Sequence, residues 1–263
     1  MRLPLIALVM LVATPALACG PDTDCVIADD RTYRLYVPET EGPVGAIFHA
    51  HGWRGTAAGA MRNDSLRDMA DRLGMALVAM KSAGEDWDLA HRPREPDQLE
   101  AREYDYVANV IEDVATRIDL DRDRMIATGF SAGGMMTWTL ACGMSDAFAG
   151  FVPYSGTFWL RPPETCPTPP TTIVHIHGTE DGVVPLGGRP IGPTHQGDVY
   201  ESFAMYAAHG DFTDAGTEDF PLGNDCAVRR GPSGELTLCL FTGGHSYSTA
   251  RVEWAIERIL GPS

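Results

Sequence analysis

The stretch that decides the fold is RMIATGFSAGGMMTWTLA, residues 124 to 141. Its first five residues are mostly apolar and predict a strand, and the residues after Gly134 predict a helix. Between them, residues 129 to 133 read Gly-Phe-Ser-Ala-Gly, a G-x-S-x-G sequence with Ser131 at its centre. A strand, a sharp turn and a helix in this order favour a nucleophile elbow, in which a strained turn lifts the serine hydroxyl clear of the sheet. A glycine-rich turn without chemistry is the alternative interpretation.

Two later segments carry an acid and a histidine. Residues 172 to 185 read TIVHIHGTEDGVVP, a β-branched strand followed by a loop with Asp181, and residues 241 to 247 read FTGGHSY, which leads to His245. The order Ser131, Asp181, His245 is the chain order of α/β-hydrolases. Each residue follows a predicted strand, where an open parallel sheet gathers its active site. We therefore predict these three as the catalytic residues, with Glu180 as the alternative acid.

A fourth segment precedes these three. Residues 44 to 55 read VGAIFHAHGWRG, a buried strand that runs into a loop. Acyl transfer develops negative charge on the carbonyl oxygen, and two backbone N–H groups usually stabilise that charge. One comes from the residue after the nucleophile and the other from an early strand–helix loop. We predict that Ala132 and Trp53 form this oxyanion hole, with Arg54 as the alternative to Trp53.

The rest of the chain predicts an α/β fold. Apolar runs alternate with amphipathic segments, which indicates a mostly parallel central sheet with helices on both faces, the α/β-hydrolase fold. The 263 residues suffice for one such domain, predicted over residues 19–263. Residues 26–37 predict an N-terminal hairpin or edge strands. The main predicted strands are 46–51, 75–80, 124–128, 150–154, 172–177 and 236–241, and the main predicted helices are 65–73, 104–118, 199–208 and 249–260.

These motifs resemble a known family. The segments at residues 46–52, 129–134, 177–185 and 243–245 look like those of the polyhydroxybutyrate depolymerase and feruloyl esterase group of secreted α/β-hydrolases. The resemblance implies a secreted serine esterase that works through a Ser-His-Asp triad and an acyl-enzyme. Its substrate would be a hydroxyalkanoate oligomer or polymer, or a feruloyl-type ester. The family often shows H-x-W-P at the histidine, whereas Ser246, Tyr247 and Ser248 follow His245 here, so the choice between these esters stays open.

The first residues predict a targeting segment. Arg2 precedes an apolar run at residues 3–12, and Ala16-Leu17-Ala18 is a small-x-small cleavage signal. We predict a signal peptide over residues 1–18 and a secreted or periplasmic protein. Cleavage there leaves Cys19 at the N-terminus, so a lipoprotein is the alternative. The apolar run is too short for a membrane span.

Six cysteines remain after Ala18, an even number that indicates disulfides in an exported protein. Sequence proximity favours the pairs Cys19–Cys25, Cys142–Cys166 and Cys226–Cys239. A metal site is the alternative, since His175 and His177, like His49 and His51, can share one face of a strand. Two ligands fall short of a site, so we expect packed histidines, no metal and no cofactor.

The net charge of −16 argues against nucleic acid as a partner and against polyanionic substrates. Two irregular segments, residues 82–98 and 156–170, follow predicted strands and contain Trp87 and Trp159. We predict that these two side chains contact an uncharged ester, with packing of their own loops as the alternative. A peptidase or amidase, or a non-catalytic binding module, is the competing function. The sequence does not specify an oligomeric state.

Overall fold

The structure, a computed structural model, describes residues 19–27, 31–93 and 100–261. The predicted signal peptide and residues 28–30 of the predicted N-terminal hairpin or edge strands lie outside these ranges. The strands are β1 Cys25–Val26, β2 Thr32–Tyr36, β3 Val44–Ala50, β4 Met75–Met80, β5 Leu120–Phe130, β6 Gly150–Tyr154, β7 Ile173–Gly178, β8 Arg189–Ile191, β9 Thr194–Gln196, β10 Thr213–Asp219, β11 Asp225–Gly231 and β12 Gly234–Phe241. The helices are α1 Ala57–Met61, α2 Asp64–Leu73, α3 Glu100–Arg117, α4 Ala132–Gly143, α5 Val199–His209 and α6 Thr249–Leu260, with a short 3-10 helix at Ser145–Ala147.

One sheet of ten strands organises the molecule, in the order β1-β2-β4-β3-β5-β6-β7-β12-β11-β10. The strands from β4 to β12 in this order are parallel, and the pairs at both ends are antiparallel. Side chains alternate between the two faces of each strand. Phe48 accordingly packs into the hydrophobic core shared with α3, α4 and α5, while Ile47 packs into the core shared with α1, α2 and α6. The predicted α/β-hydrolase architecture is confirmed.

The strand order places the candidate site. The chain leaves β3, forms β4 on one side of it, and returns past β3 to form β5 on the other side. Strand order therefore reverses between β3 and β5, and open α/β sheets bind ligands outside the carboxyl ends of strands at such a point. The loop after β3 and the turn after β5 meet at this edge.

Most predicted elements lie where the sequence indicates. Helix α2 ends at Gly74, whose φ of 59° is the left-handed conformation expected of a glycine C-cap. Helix α3 begins at Glu100 rather than at Tyr104. The edge strand β10 and the β8–β9 hairpin are absent from the prediction. The sequence of β10, TDAGTED, is polar and largely exposed, so no apolar periodicity marks it.

All three predicted disulfides are present: Cys19–Cys25, Cys142–Cys166 and Cys226–Cys239. Cys226 and Cys239 lie directly opposite each other in the antiparallel pair β11–β12. The second disulfide joins the end of α4 to the long loop after β6. Across the described ranges, no helix has the length and apolar character needed to cross a membrane.

Candidate active site

Ser131 occupies the turn between β5 and α4, with φ 60° and ψ −120°. A non-glycine residue adopts this conformation only where its surroundings impose it. The flanking glycines show the constraint. A Cβ on Gly133 would lie 1.9 Å from the Ala50 carbonyl oxygen, and a Cβ on Gly129 would lie 2.3 Å from the Gly133 oxygen. The chain passes too close to itself for side chains here, so the G-x-S-x-G spacing has a direct steric cause.

Asp181 and His245 are hydrogen-bonded, with 2.7 Å between Asp181 Oδ2 and His245 Nδ1. The other carboxylate oxygen accepts the N–H groups of Val183 at 2.9 Å and Val184 at 2.8 Å. Burial alone would raise the pKa of Asp181, but the hydrogen bonds from His245, Val184 and Val183 outweigh it and hold the pKa below its ordinary value. A charged carboxylate therefore faces the imidazole. The alternative acid, Glu180, is exposed, and its side chain forms no hydrogen bond to any described residue.

The imidazole of His245 lies beside the nucleophile turn. Its ring centroid is 4.5 Å from that of Phe130, the residue immediately before Ser131. Because Nδ1 is bonded to Asp181, Nε2 is the nitrogen left for a serine hydroxyl, and it has no hydrogen-bond partner among the described residues. Loops after β5, β7 and β12 thus bring Ser131, Asp181 and His245 to one edge of the sheet.

The loop after β3 packs against the same turn. A Cβ on Gly52 would lie 3.3 Å from the Phe130 carbonyl oxygen and 3.5 Å from Ser131 Cβ. The N–H of Arg54 donates to the Glu85 carbonyl at 2.7 Å, so it is already engaged. The N–H of Trp53 has no acceptor within the described part of the chain. Ala132 is the first residue of α4, so its backbone N–H has no acceptor within the helix. The geometry therefore leaves Ala132 and Trp53 as the available donors and disfavours Arg54.

His51 and Trp87 hold the loop after β3 in place through hydrogen bonds. His51 Nδ1–H donates to the Gly52 carbonyl at 2.8 Å, while its Nε2 accepts the N–H of Ser82 at 3.2 Å. Burial lowers the pKa of His51 to about 4, so the ring is neutral and both nitrogens are occupied. The indole N–H of Trp87 donates to the His51 carbonyl at 2.8 Å. Trp87 is fully buried, and the prediction that it contacts substrate is wrong, because the side chain offers a ligand no surface.

Trp159, the other tryptophan predicted to contact substrate, differs from Trp87 in its surroundings. It is 8% exposed and lines a cavity of about 270 Å³ together with Leu89, Met135 and Phe158. Met135 is one helical turn beyond the serine, since its N–H donates to the Ser131 carbonyl at 3.0 Å. The cavity therefore lies along α4 from Met135 to Cys142, and its lining includes none of Ser131, Asp181 and His245. The sequence pattern does not predict that Met135 and Phe158 line a cavity, because loop packing decides which apolar side chains face it.

Trp53 is the large aromatic side chain that is exposed beside the site, with 54% of its surface accessible. The Arg54 guanidinium stacks on it, 4.3 Å from the ring centroid, and also pairs with Glu85 at 3.3 Å. The sequence motif predicted a role only for the backbone N–H of Trp53. Arg54, the next residue, has a left-handed backbone conformation with φ 58°.

The described residues contain no group of three or more His, Cys, Asp or Glu side chains arranged to hold a metal ion. In the pair His175 and His177, all four ring nitrogens have hydrogen-bonding neighbours. His49 is buried, which lowers its pKa to about 4.

Known esterases are similar to this chain in fold or over part of their sequence. The model of the phospholipase/carboxylesterase family matches residues 81–190, a segment that contains Ser131 and Asp181 and ends before His245. The acetyl xylan esterase from Aspergillus awamori superposes with a TM-score of 0.60 and 17% identity, over 86% of this chain and 90% of that one. The superposition shows the α/β-hydrolase fold, and the partial family match agrees with it.

Within that superfamily, the chain resembles the feruloyl-esterase-like group of carboxylic ester hydrolases. It is 30% identical over 170 residues to the putative esterase NocK of Nocardia uniformis subsp. tsuyamanensis, covering 62% of this chain and 48% of the relative. It is 26% identical over 187 residues to feruloyl esterase B of Piromyces equi, covering 65% of this chain and 33% of the relative. The chain thus spans less than half the length of these two curated relatives.

Proposed function

We propose that this protein is a serine esterase that hydrolyses carboxylic esters through a Ser131–His245–Asp181 triad. The observation that carries the proposal is the 2.7 Å bond between Asp181 Oδ2 and His245 Nδ1, beside a serine held at φ 60°. A histidine oriented by a carboxylate next to a strained serine is the arrangement that activates a hydroxyl as a nucleophile.

The mechanism follows from these positions. His245 Nε2 takes the proton of the Ser131 hydroxyl as the oxygen attacks the ester carbonyl, and Asp181 stabilises the imidazolium that forms. The N–H groups of Ala132 and Trp53 hold the oxyanion. His245 then gives its proton to the departing alcohol, which leaves an acyl group on Ser131. A water molecule, deprotonated by His245, attacks this acyl-enzyme and releases the acid.

The substrate class that fits best is a neutral ester with a small or flat acyl part, either a hydroxyalkanoate oligomer or a feruloyl-type ester. The net charge of −16 disfavours polyanionic chains. The cavity lined by Phe158 and Trp159 supports a flat group, as does the exposed indole of Trp53. Relatives named as a feruloyl esterase and a similar structure named as an acetyl xylan esterase support the same class.

We further propose that residues 1–18 are a cleaved signal peptide and that residues 19–263 form one catalytic domain outside the cytoplasm. The three disulfides support export, since such bonds persist in oxidising compartments.

A substrate panel tests the function. Purified protein should hydrolyse p-nitrophenyl acetate, and the panel of hydroxybutyrate oligomers, methyl ferulate and acetylated xylan then ranks natural esters. Ser131→Ala should lower ester turnover by about 10³-fold or more while the protein stays folded. Turnover of a p-nitroanilide above that of the matched ester would favour an amidase instead. Binding of the esters without turnover would favour a non-catalytic module.

A further inference from the structure

Two buried histidines behind the acid loop take no part in the mechanism above. His175 and His177 lie on the same face of β7, and both are fully buried. Their rings stack, and His175 Nε2 is 2.9 Å from His177 Nδ1. Burying an imidazole without hydrogen-bond partners costs free energy. The hydrogen bonds of these two rings therefore show which residues hold them in place and which residues they position.

The hydrogen bonds form a chain with one possible direction. The indole N–H of Trp138 lies 3.1 Å from His175 Nδ1, and an indole nitrogen can only donate. His175 must therefore carry its proton on Nε2 and donate it to His177 Nδ1. His177 in turn carries its proton on Nε2, 2.7 Å from the Val184 carbonyl oxygen, which can only accept. Each ring has one proton and is neutral, in agreement with the burial that lowers the pKa of both histidines.

The chain ends at the catalytic acid. Val184 accepts from His177 through its carbonyl, and its own N–H donates to Asp181 Oδ1 at 2.8 Å. His177 Nε2 is also 3.6 Å from Asp181 Oδ2, the oxygen bonded to His245. His177 thus holds Val184 in place, and the N–H of Val184 holds Asp181 Oδ1. Asp181 Oδ2 is then directed at the imidazole of His245.

We propose that His177 is a positioning residue for Asp181, and that Trp138 and His175 hold it in the tautomer this role requires. The inference rests on the proposed esterase function. It also links two parts of the triad, because Trp138 lies on α4 about two turns after Ser131. The nucleophile helix and the acid loop are then joined beneath the edge of the sheet.

Three substitutions at one position test the proposal. His177→Gln keeps a donor near the position of Nε2, His177→Asn keeps only a group near Nδ1, and His177→Leu keeps neither. The Asn and Leu variants should lose about 10²-fold in kcat, since displacement of a catalytic group by an ångström has such an effect. KM should stay within about twofold, and the Gln variant should retain kcat within about threefold of the parent.

His209→Leu is the matched control. His209 Nε2 lies 2.9 Å from the Thr168 carbonyl oxygen, so this variant also loses a histidine bonded to a backbone carbonyl, but at the end of α5. Its melting temperature should fall while kcat stays unchanged.

A folded His177→Leu variant with parental kcat would overturn the positioning role, as would equal losses in the Gln and Asn variants. If the Leu variant does not fold, the comparison of Gln with Asn decides alone, because both are polar amides. Failure of the esterase function is a separate result: the unmodified protein would then hydrolyse no ester, or Ser131→Ala would stay active.

Discussion

Ser131 and Asp181 are held in place by different means. Ser131 is fixed by steric exclusion, since its turn has no room for a Cβ at Gly133. Asp181 is fixed by hydrogen bonds from His245 and from the N–H groups of Val183 and Val184. The motif predicted the serine because sterics restrict the residue types around it. Two of the three donors to Asp181 are backbone N–H groups, of Val183 and Val184, which leave no trace in the residue types.

The acid is the residue whose role can be tested most simply. Asp181→Asn should lower kcat by about 10⁴-fold, because the amide cannot hold the imidazole in the right tautomer or stabilise its charged form. Glu180→Gln, at the neighbouring exposed position, is the control and should leave kcat nearly unchanged. Steady-state hydrolysis of p-nitrophenyl acetate measures both. The opposite ranking would transfer the role to Glu180.

At the scale of the elements, alternating strands and helices were predictable because buried parallel strands are continuous apolar runs, as in β4. The two tryptophans predicted to contact substrate show that such patterns do not predict side-chain orientation in loops. Trp87 is buried under the loop after β3, while Trp159 lines a cavity. The orientation of a side chain in an irregular segment depends on tertiary contacts that the local pattern does not encode.

The close approach of β3 and α4 makes a steric prediction. Gly133→Ala should prevent the elbow from forming, since the new Cβ would lie 1.9 Å from the Ala50 carbonyl oxygen. Gly84→Ala is the control, because a Cβ there meets nothing within 4 Å. Circular dichroism and thermal melting should show a large loss of stability for the first variant and little change for the second. A stable, active Gly133→Ala protein would contradict the packing described for the turn.

The position of Trp159 in the loop after β6 predicts an effect on substrate preference. Trp159→Ala should raise KM for methyl ferulate more than KM for p-nitrophenyl acetate if the aromatic acyl group binds in the cavity, because the substitution removes a flat apolar wall of that cavity. Steady-state kinetics with both esters measures the difference. Equal and negligible effects would show that Trp159 only packs its loop.

For the whole molecule, four buried histidines set the response to acid: His49, His51, His175 and His177. Burial lowers the pKa of the first two to about 4 and also lowers the pKa of the second two. Below an unfolded pKa of about 6.5, the unfolded chain binds protons that the folded chain excludes. The free energy of unfolding should therefore fall as the pH drops from 6.5 toward the folded pKa values. Protonation of Asp181 lowers the free energy of unfolding only at more acidic pH, because the pKa of Asp181 lies below its ordinary value.

Urea unfolding between pH 7.5 and 5 measures this effect. The slope of the free energy of unfolding against pH should correspond to a net uptake of protons by these histidines on unfolding. His177→Gln removes one of the groups and should reduce this uptake. A free energy of unfolding that is constant over this range would mean that the histidines are not buried and neutral in the folded protein.

The central claim is that Ser131 is the nucleophile, and mass spectrometry of the trapped enzyme tests it most directly. Protein treated with a fluorophosphonate should gain the mass of one adduct, and peptide mapping should place that adduct on Ser131. His177→Gln should still be labelled, whereas Ser131→Ala should not. An adduct on another residue, or labelling that persists in Ser131→Ala, would contradict the account.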